Sequence, residues 1–460
     1  MDADTLFDSE LIRRYDASGP RYTSYPTAAQ FHSGFDAQAY RAAALLSNAE
    51  QSPLSIYVHV PFCASPCFYC GCNRVITRDP LHAERYLNAL CTEIELQGRL
   101  VHTHRRVEQL HFGGGTPTFL SMLQIGRIMR ALRREFVMAD DEKHEYSIEI
   151  DPRTVDTGTI EQLQKLGFNR ISLGVQDFDP NVQAAVNRVQ SVAQTREIVE
   201  QARRSGIQQI NFDLIYGLPR QTTATFAVTL DQVIAIRPTR IAAYGYAHLP
   251  RIFKAQRQID AQELPSAAER LALLELTVER LSAAGYVYIG MDHFALPEDS
   301  LTQALTAGSL HRNFQGYSSH ADCDLVGLGV SAIGRIGDAY AQNAKDLRDY
   351  YASLEHHQLA IRKGYKLTID DRIRRDVIQQ LMCAGHVDFQ QIESDHCIEF
   401  TSYFARELST LDAMREDGLI GSTASDLRVT PRGRFLVRNI AMVFDAHLQM
   451  QQASGFSKVI

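Results

Sequence analysis

The sequence lacks any run of apolar residues long enough to cross a membrane; none approaches the roughly 18 that a spanning helix needs. The opening stretch MDADTLFDSELIRRYD is acidic and polar, so neither a secretory leader nor an Arg-rich transit segment is expected. Positive charge is not in excess either. The net charge of −7 argues against a nucleic-acid partner, which would favour a basic patch, and an anionic substrate would have to be held by a few local Arg or Lys residues. A disulfide framework is missing as well. Of eight cysteines, Cys63, Cys67, Cys70 and Cys72 fall within ten residues, while Cys91, Cys323, Cys383 and Cys397 are scattered. A tight cluster in a long chain points to metal binding or redox chemistry. These absences predict a cytoplasmic protein with no membrane and no nucleic-acid partner, and 460 residues predict more than one domain.

From about residue 54, short apolar runs alternate with amphipathic stretches. The runs are 56–60, 109–112, 146–150, 170–175, 209–215 and 241–246; the stretches include 83–100, 122–136, 192–205 and 223–236. This alternation predicts βαβ units and a parallel sheet of six repeats, open or closed, with a further strand at 286–294 after a helix over 266–284. Each run ends in chemically loaded residues: the cysteine loop, then Gly113-Gly114-Gly115-Thr116, then Glu149, Asp151 and Arg153, then Gln176 and Asp177, while Asp213 sits in the fifth run. In barrel-like α/β folds the strands deliver such groups to one face, so five coincidences predict one shared site.

Beyond about residue 345 the pattern predicts helices at 349–358, 369–382, 388–394 and 400–416, a hairpin from 418–420 and 427–429, and a closing helix over 431–446. Helices, hairpin and helix resemble a winged-helix domain, for which the acidic chain favours a packing role over DNA binding. The expected division is an N-terminal extension or flap over residues 1–50, a catalytic domain over 51–345 and a mainly helical domain over 346–460.

The centre of the sequence is YVHVPFC followed by CFYCGCN, a C-x3-C-x2-C loop. Clusters that only carry electrons are normally held by four cysteines. Three here leave one iron of a cubane open, which is what a catalytic metal needs. The competing reading is a zinc site using Cys72 or His59 as fourth ligand, but no distant ligand pair accompanies the loop. One residue from Cys70, Cys72 is poorly placed as a fourth ligand to the same cube; it is either a passive small residue or a thiol with its own role. Tyr69 reads as an apolar wall.

C-x3-C-x2-C after a first strand resembles the radical S-adenosylmethionine superfamily. With RYTSYPTA, FGGGTPT and HRNFQGYSS, the chain from about residue 19 onward resembles the oxygen-independent coproporphyrinogen III oxidases. The resemblance implies a partial (β/α)6 TIM-like barrel. It also implies one [4Fe-4S] cluster on Cys63, Cys67 and Cys70, and S-adenosylmethionine, two molecules of it. Reductive cleavage of that cofactor would give a radical that takes hydrogen from substrate propionates, turning two of them into vinyl groups. Gly114, Gly115, Thr116, Glu149, Gln176, Arg188, Asp213, Ala247 and Ile333 match cofactor-contacting positions. Tyr57, His59 and Cys72 match catalytic ones, Tyr57 also lying near the sulfonium. Tyr57 and His59 share a strand face by alternation. Arg21, Ser24, Arg312 and Gln315, with Lys254, are expected partners for the substrate's carboxylates. A low-potential donor such as flavodoxin or ferredoxin and a monomeric state are also expected. Two alternatives stand beside this one. One is a haem chaperone with the same core, against which Cys72, the RYTSYPT segment and the long C-terminus speak. The other is a structural zinc protein with a winged-helix domain.

Overall fold

The apolar runs become strands because a strand covered on both faces carries no polar alternation. Of the chain, the computed structural model describes residues 7–101, 104–141, 143–156, 158–320 and 323–448. Six strands pair side by side in the order β6-β5-β4-β3-β2-β1, all parallel: β1 Leu54–Val60, β2 Arg106–Gly114, β3 Glu145–Ile150, β4 Arg170–Gln176, β5 Gln209–Tyr216 and β6 Arg240–Gly245. Ile56, Val58, Leu110, Phe112, Ile148, Leu173 and Phe212 along them are wholly buried. The intervening helices are α1 Pro80–Gly98, α2 Met122–Glu135, α3 Thr159–Lys165, α4 Val192–Arg204 and α5 Thr223–Ile236. Their starts are written in the sequence. Asp79 caps α1 with Pro80 behind it, and Ser121 with Gln124 closes a capping box on α2. This is the partial (β/α)6 barrel of the sequence reading.

On its other flank β1 pairs in parallel with β7 Asp324–Leu328, bringing Gly327 beside Tyr57. Then β8 Ile333–Ile336, β9 Ala339–Asn343 and β10 Ile361–Lys366 follow antiparallel. None of these four was expected. β8 is only four residues long and β10 reads Ile-Arg-Lys-Gly-Tyr-Lys, too polar to register as an apolar run. The expected helix at 349–358 is α6 Leu347–Glu355. All of these elements belong to one compact unit, formed by Phe31–Ser266 with Asp322–Lys366.

A second unit gathers Met1–Gln30, Ala267–Ala321 and Leu367–Ile460. Its core includes Leu381, Phe389, Phe400, Phe404, Leu427, Ile440 and Phe444. Helices Ile369–Ala384 and Phe389–His396 flank the strand His386–Asp388, which joins Asp426–Val429 and Ile420–Ser422 in a three-stranded antiparallel sheet, the winged-helix-like arrangement. The expected helix over 400–416 arrives in three pieces, and the last one starts as a tight 3-10 turn, Pro431–Leu436. The run 286–294 is a hairpin, Val287–Gly290 with His293–Ala295, turned at Met291, whose φ is +53°. The RYTSYPT segment packs into this unit: Tyr22 donates to Asp445 at 3.0 Å and Tyr25 accepts from the Ala446 N–H at 3.1 Å. Both units are discontinuous in sequence, whereas the expected segments were linear. Among the described residues no helix is long and apolar enough to cross a membrane.

Candidate active site

The cysteine loop leaves the end of β1 and is fastened on every side. Phe62–Cys63 forms a short parallel pair with Val75–Ile76. The Phe68 N–H donates to the Val186 carbonyl at 3.0 Å, Asn187 donates to the Pro66 carbonyl at 2.7 Å, and Gln256 donates to the Tyr69 carbonyl at 2.9 Å. Phe68 and Tyr69 rest against a small core that includes Val182, Val186, Leu218 and Tyr246. Arg74 threads the loop from within, donating to the carbonyls of Cys70 at 2.9 Å and of Cys67 and Cys72 at 3.4 Å. Nothing in the sequence reading singled out Arg74; only its place two residues past Cys72 hinted at it.

Cys63, Cys67, Cys70 and Cys72 line one cavity. Its walls include Gly114, Gly115 and Thr116 from the end of β2, Glu149, Asp151 and Arg153 from the end of β3, Gln176 from β4, Asp213 from β5, and Arg188. Five strand ends thus do converge on one place. Burial pushes the Cys63 thiol up to about 11, while a hydrogen bond from the Cys72 thiol, aided by Arg74 and Arg188, holds Cys70 below its ordinary value. All eight cysteines are free of disulfides.

The glycine run is demanded by space. A Cβ on Gly115 would lie 2.8 Å from the Pro61 and Phe62 carbonyl oxygens, and one on Gly114, at φ +116°, would lie 2.6 Å from the His59 ring. Only glycine tolerates both constraints at Gly114. The Gly114 N–H donates to Glu149 at 3.2 Å, and His111 meets the other carboxylate oxygen at 3.1 Å. Burial works to raise Glu149, but these partners outweigh it and hold the carboxyl below its ordinary value. Asp213 is pushed up to about 6 by burial and by the neighbouring Glu149 charge, although Ser172 and Asn211 donate to it, each at 3.0 Å.

Asp151 joins two guanidinium groups: Arg153 Nη2 at 2.6 Å and Arg188 Nη1 at 3.2 Å. Both arginines also approach Cys67 Sγ, at 3.6 and 3.5 Å. Arg188 is fixed further by two donations to the Gly174 carbonyl, 2.6 Å from Nη2 and 3.2 Å from Nε. Gln176 has φ +65°, a left-handed turn where the β4–β5 register shifts, and this turns its side chain into the cavity wall.

Four of the expected catalytic and cofactor positions are not on the cavity wall. Tyr57 and His59 form a hydrogen-bonded pair, Tyr57 Oη to His59 Nδ1 at 3.0 Å. Ile333 opens β8 with its carbonyl against Gly327, the residue paired with Tyr57, and the Ala247 carbonyl accepts from Gln256 at 3.1 Å. Lys254 opens a 3-10 turn of the same unit. The expected substrate residues belong to the other unit. There Arg21 is ion-paired with Asp292, Arg312 lies 4.6 Å over the Tyr317 ring and donates to the Arg21 carbonyl, and Ser24 is buried. Arg312 Nη1 and Gln315 Nε2 are buried without a hydrogen-bond partner.

Comparison with known proteins places this geometry. Residues 57–233 match the Radical SAM superfamily. Over 99% of its length the chain is 53% identical to the oxygen-independent coproporphyrinogen III oxidase of Pseudomonas aeruginosa, covering 100% of that protein. To the enzyme of the same name from Escherichia coli K12 it is 46% identical over 99% of this chain and 98% of that one. The solved structure of the Escherichia coli coproporphyrinogen III oxidase, described as a radical SAM enzyme, superposes with a TM-score of 0.92 at 45% identity, covering 96% of this chain and 99% of that one. The cysteine loop, the barrel and the whole-length likeness agree: this chain belongs to the oxygen-independent coproporphyrinogen III oxidase family, a branch of the radical SAM oxidoreductases.

Proposed function

We propose that this protein oxidatively decarboxylates two propionate side chains of coproporphyrinogen III to vinyl groups without oxygen, giving protoporphyrinogen IX. The observation that carries this reading is the single cavity in which three thiols of one short loop face a glycine edge, Glu149 and the Asp151–Arg188 pair. Radical SAM membership implies a [4Fe-4S] cluster and S-adenosylmethionine, and the donor set suits both. Cys63, Cys67 and Cys70 offer three soft ligands, with Arg153 and Arg188 placed to balance thiolate charge at Cys67. Bound together, the cluster and cofactor supply reductive sulfonium cleavage and hydrogen abstraction.

The chain's own groups position and shield. Gly114 and Gly115 let backbone approach the cofactor closely, and Glu149 suits its ammonium or ribose hydroxyls. After its bonds to Gly174, Asp151 and Cys67, Arg188 keeps one N–H for a carboxylate. Thr116, Gln176, Asp213, Ala247 and Ile333 complete the cofactor surroundings in this reading. A second S-adenosylmethionine would sit near Tyr57 and His59, with Cys72 acting on the substrate. Arg21, Ser24, Arg312 and Gln315 would receive propionates; the partnerless Arg312 Nη1 and Gln315 Nε2 support this, and at Arg21 a propionate would displace Asp292. The protein would act as a cytoplasmic monomer fed by a low-potential flavodoxin or ferredoxin.

The test is an anaerobic reaction of cluster-loaded protein with reductant, S-adenosylmethionine and coproporphyrinogen III. Protoporphyrinogen IX is expected, with two CO2 released and two cofactor molecules consumed per substrate. Formation of 5′-deoxyadenosine with no vinyl-bearing product, together with tight haem binding, would instead favour a chaperone.

A further inference from the structure

Gly113, Gly114 and Gly115, at the end of β2, do different things. Gly114 and Gly115 line the cavity; Gly113 does not. A Cβ on Gly113 would lie 2.8 Å from Glu149 Oε1 and 3.1 Å from His111 Nε2. The side chain that Gly113 lacks is thus the space in which an imidazole from its own strand meets a carboxylate from the next. There His111 Nε2 and Glu149 Oε1 are 3.1 Å apart.

Two further neighbours hold the imidazole for this contact. His111 pairs in register with Tyr57 on β1 and with Ser147 on β3. The Tyr57 ring stacks on it, with 5.9 Å between centroids and 14° between planes, and Ser147 Oγ lies 2.5 Å from Nδ1. Glu149 is two residues beyond Ser147 on the same face of β3, so its long side chain reaches the ring diagonally. An ionised carboxylate only accepts, so Nε2 carries a proton and donates it. The Gly114 N–H donates to the other oxygen at 3.2 Å. One donor on each oxygen fixes the plane of the carboxylate and still leaves lone pairs on both. Access to the cavity differs between the partners. Glu149 lines it and its side chain is 41% exposed, whereas His111, at 19%, is not on the wall. An effect of His111 on a ligand in the cavity therefore passes through Glu149.

We propose that His111 is a positioning residue for S-adenosylmethionine, holding the Glu149 carboxylate in the orientation that grips the cofactor's ammonium or ribose hydroxyls, and that position 113 is glycine to admit this pair. The inference rests on the reading of Glu149 as a cofactor ligand. Without the imidazole donor, the Glu149 side chain gains rotamers that point elsewhere, and ordering it again on binding costs affinity.

The experiment is equilibrium binding of S-adenosylmethionine to full-length, cluster-loaded protein, with iron and sulfide measured in each variant. Glutamine places an amide N–H where Nε2 stood, toward Glu149; asparagine places one where Nδ1 stood, toward Ser147. His111→Ala and His111→Asn are expected to weaken binding by about tenfold, and His111→Gln to stay within about twofold of wild type. In the Glu149→Ala background, His111→Asn should add no more than about twofold, because the group it acts through is gone. Cluster content should match wild type throughout. A role confined to supporting the strands would lower affinity equally in the glutamine and asparagine variants, and again without Glu149. Equal affinity in His111→Gln and His111→Asn, a full further loss in the double variant, or loss of the cluster in both single variants would overturn the proposal. Wild-type affinity in Glu149→Ala itself would instead overturn the reading of the site on which it rests.

Discussion

The Tyr57 hydroxyl donates to Nδ1 of His59 at 3.0 Å, and the tautomer of the imidazole follows from its other neighbour. Nε2 lies 2.9 Å from the Asn73 carbonyl, which can only accept, so Nε2 carries the proton and Nδ1 is the acceptor. Burial holds His59 below its ordinary pKa, keeping the ring neutral. This pair links β1 to the residue that follows Cys72.

Removing either half should therefore leave the cluster in place and damage turnover. Tyr57→Phe and His59→Ala are expected to retain iron and sulfide while losing protoporphyrinogen formation. The single hydrogen bond lost in Tyr57→Phe costs roughly 1 kcal/mol of stability, too little to unfold the protein. Full product formation in both variants would remove them from the catalytic account.

Gly114→Ala tests the glycine edge. A methyl group at φ +116° would collide with the His59 ring, at a cost of about 1–3 kcal/mol in backbone strain alone. The expected result is a less stable protein that still takes up iron but binds S-adenosylmethionine poorly. Unchanged cofactor affinity by equilibrium dialysis would contradict the placement of the cofactor along this edge.

Arg188→Ala and Glu149→Ala should each weaken S-adenosylmethionine binding by about ten- to a hundredfold, the loss of one charge-assisted hydrogen bond of roughly 1.5–3 kcal/mol. Cluster content should not change. Because Arg153 still faces Asp151 at 2.6 Å, Arg188→Ala does not strand that buried carboxylate.

Glu93 on α1 gives a pH signature of its own. It is wholly buried, accepting from Gly329 N–H and Asn343 at 2.6 Å and from the Tyr350 hydroxyl at 2.7 Å, and burial nonetheless pushes its carboxyl up to about 7. A raised carboxyl contributes its stabilisation in full below its unfolded value near 4.5, and loses it as pH climbs through about 7. Relative to Glu93→Gln, wild-type protein should thus lose roughly 2–3 kcal/mol between pH 5 and pH 8. Urea unfolding at the two pH values measures this; a constant gap between the proteins would contradict it.

How far the sequence revealed these features depended on the kind of signal each one left. The six parallel strands were legible because residues such as Ile56, Leu110 and Phe212 make unbroken apolar runs, and α2 announced itself through Ser121 and Gln124. The strands β7 to β10 were not, since they are short or carry Arg362 and Lys363 on a strand whose pattern is not apolar. The grouping of Ala267–Ala321 with the C-terminal part depends on contacts distant in sequence, which a linear reading cannot weigh. At the site, the cysteine spacing and Gly113-Gly114-Gly115 carried their own chemistry. Arg74 and His111 did not: one acts through backbone carbonyls and the other through Glu149 and Ser147, both visible only once the loop and strands are folded.

The most direct test of the account is iron and sulfide analysis of anaerobically purified protein across the cysteine series. Wild type and Cys72→Ala should be brown and hold four iron and four sulfide per chain, as one [4Fe-4S] cluster requires, whereas Cys63→Ala, Cys67→Ala and Cys70→Ala should be colourless. Wild-type protein carrying stoichiometric zinc and no sulfide would contradict it.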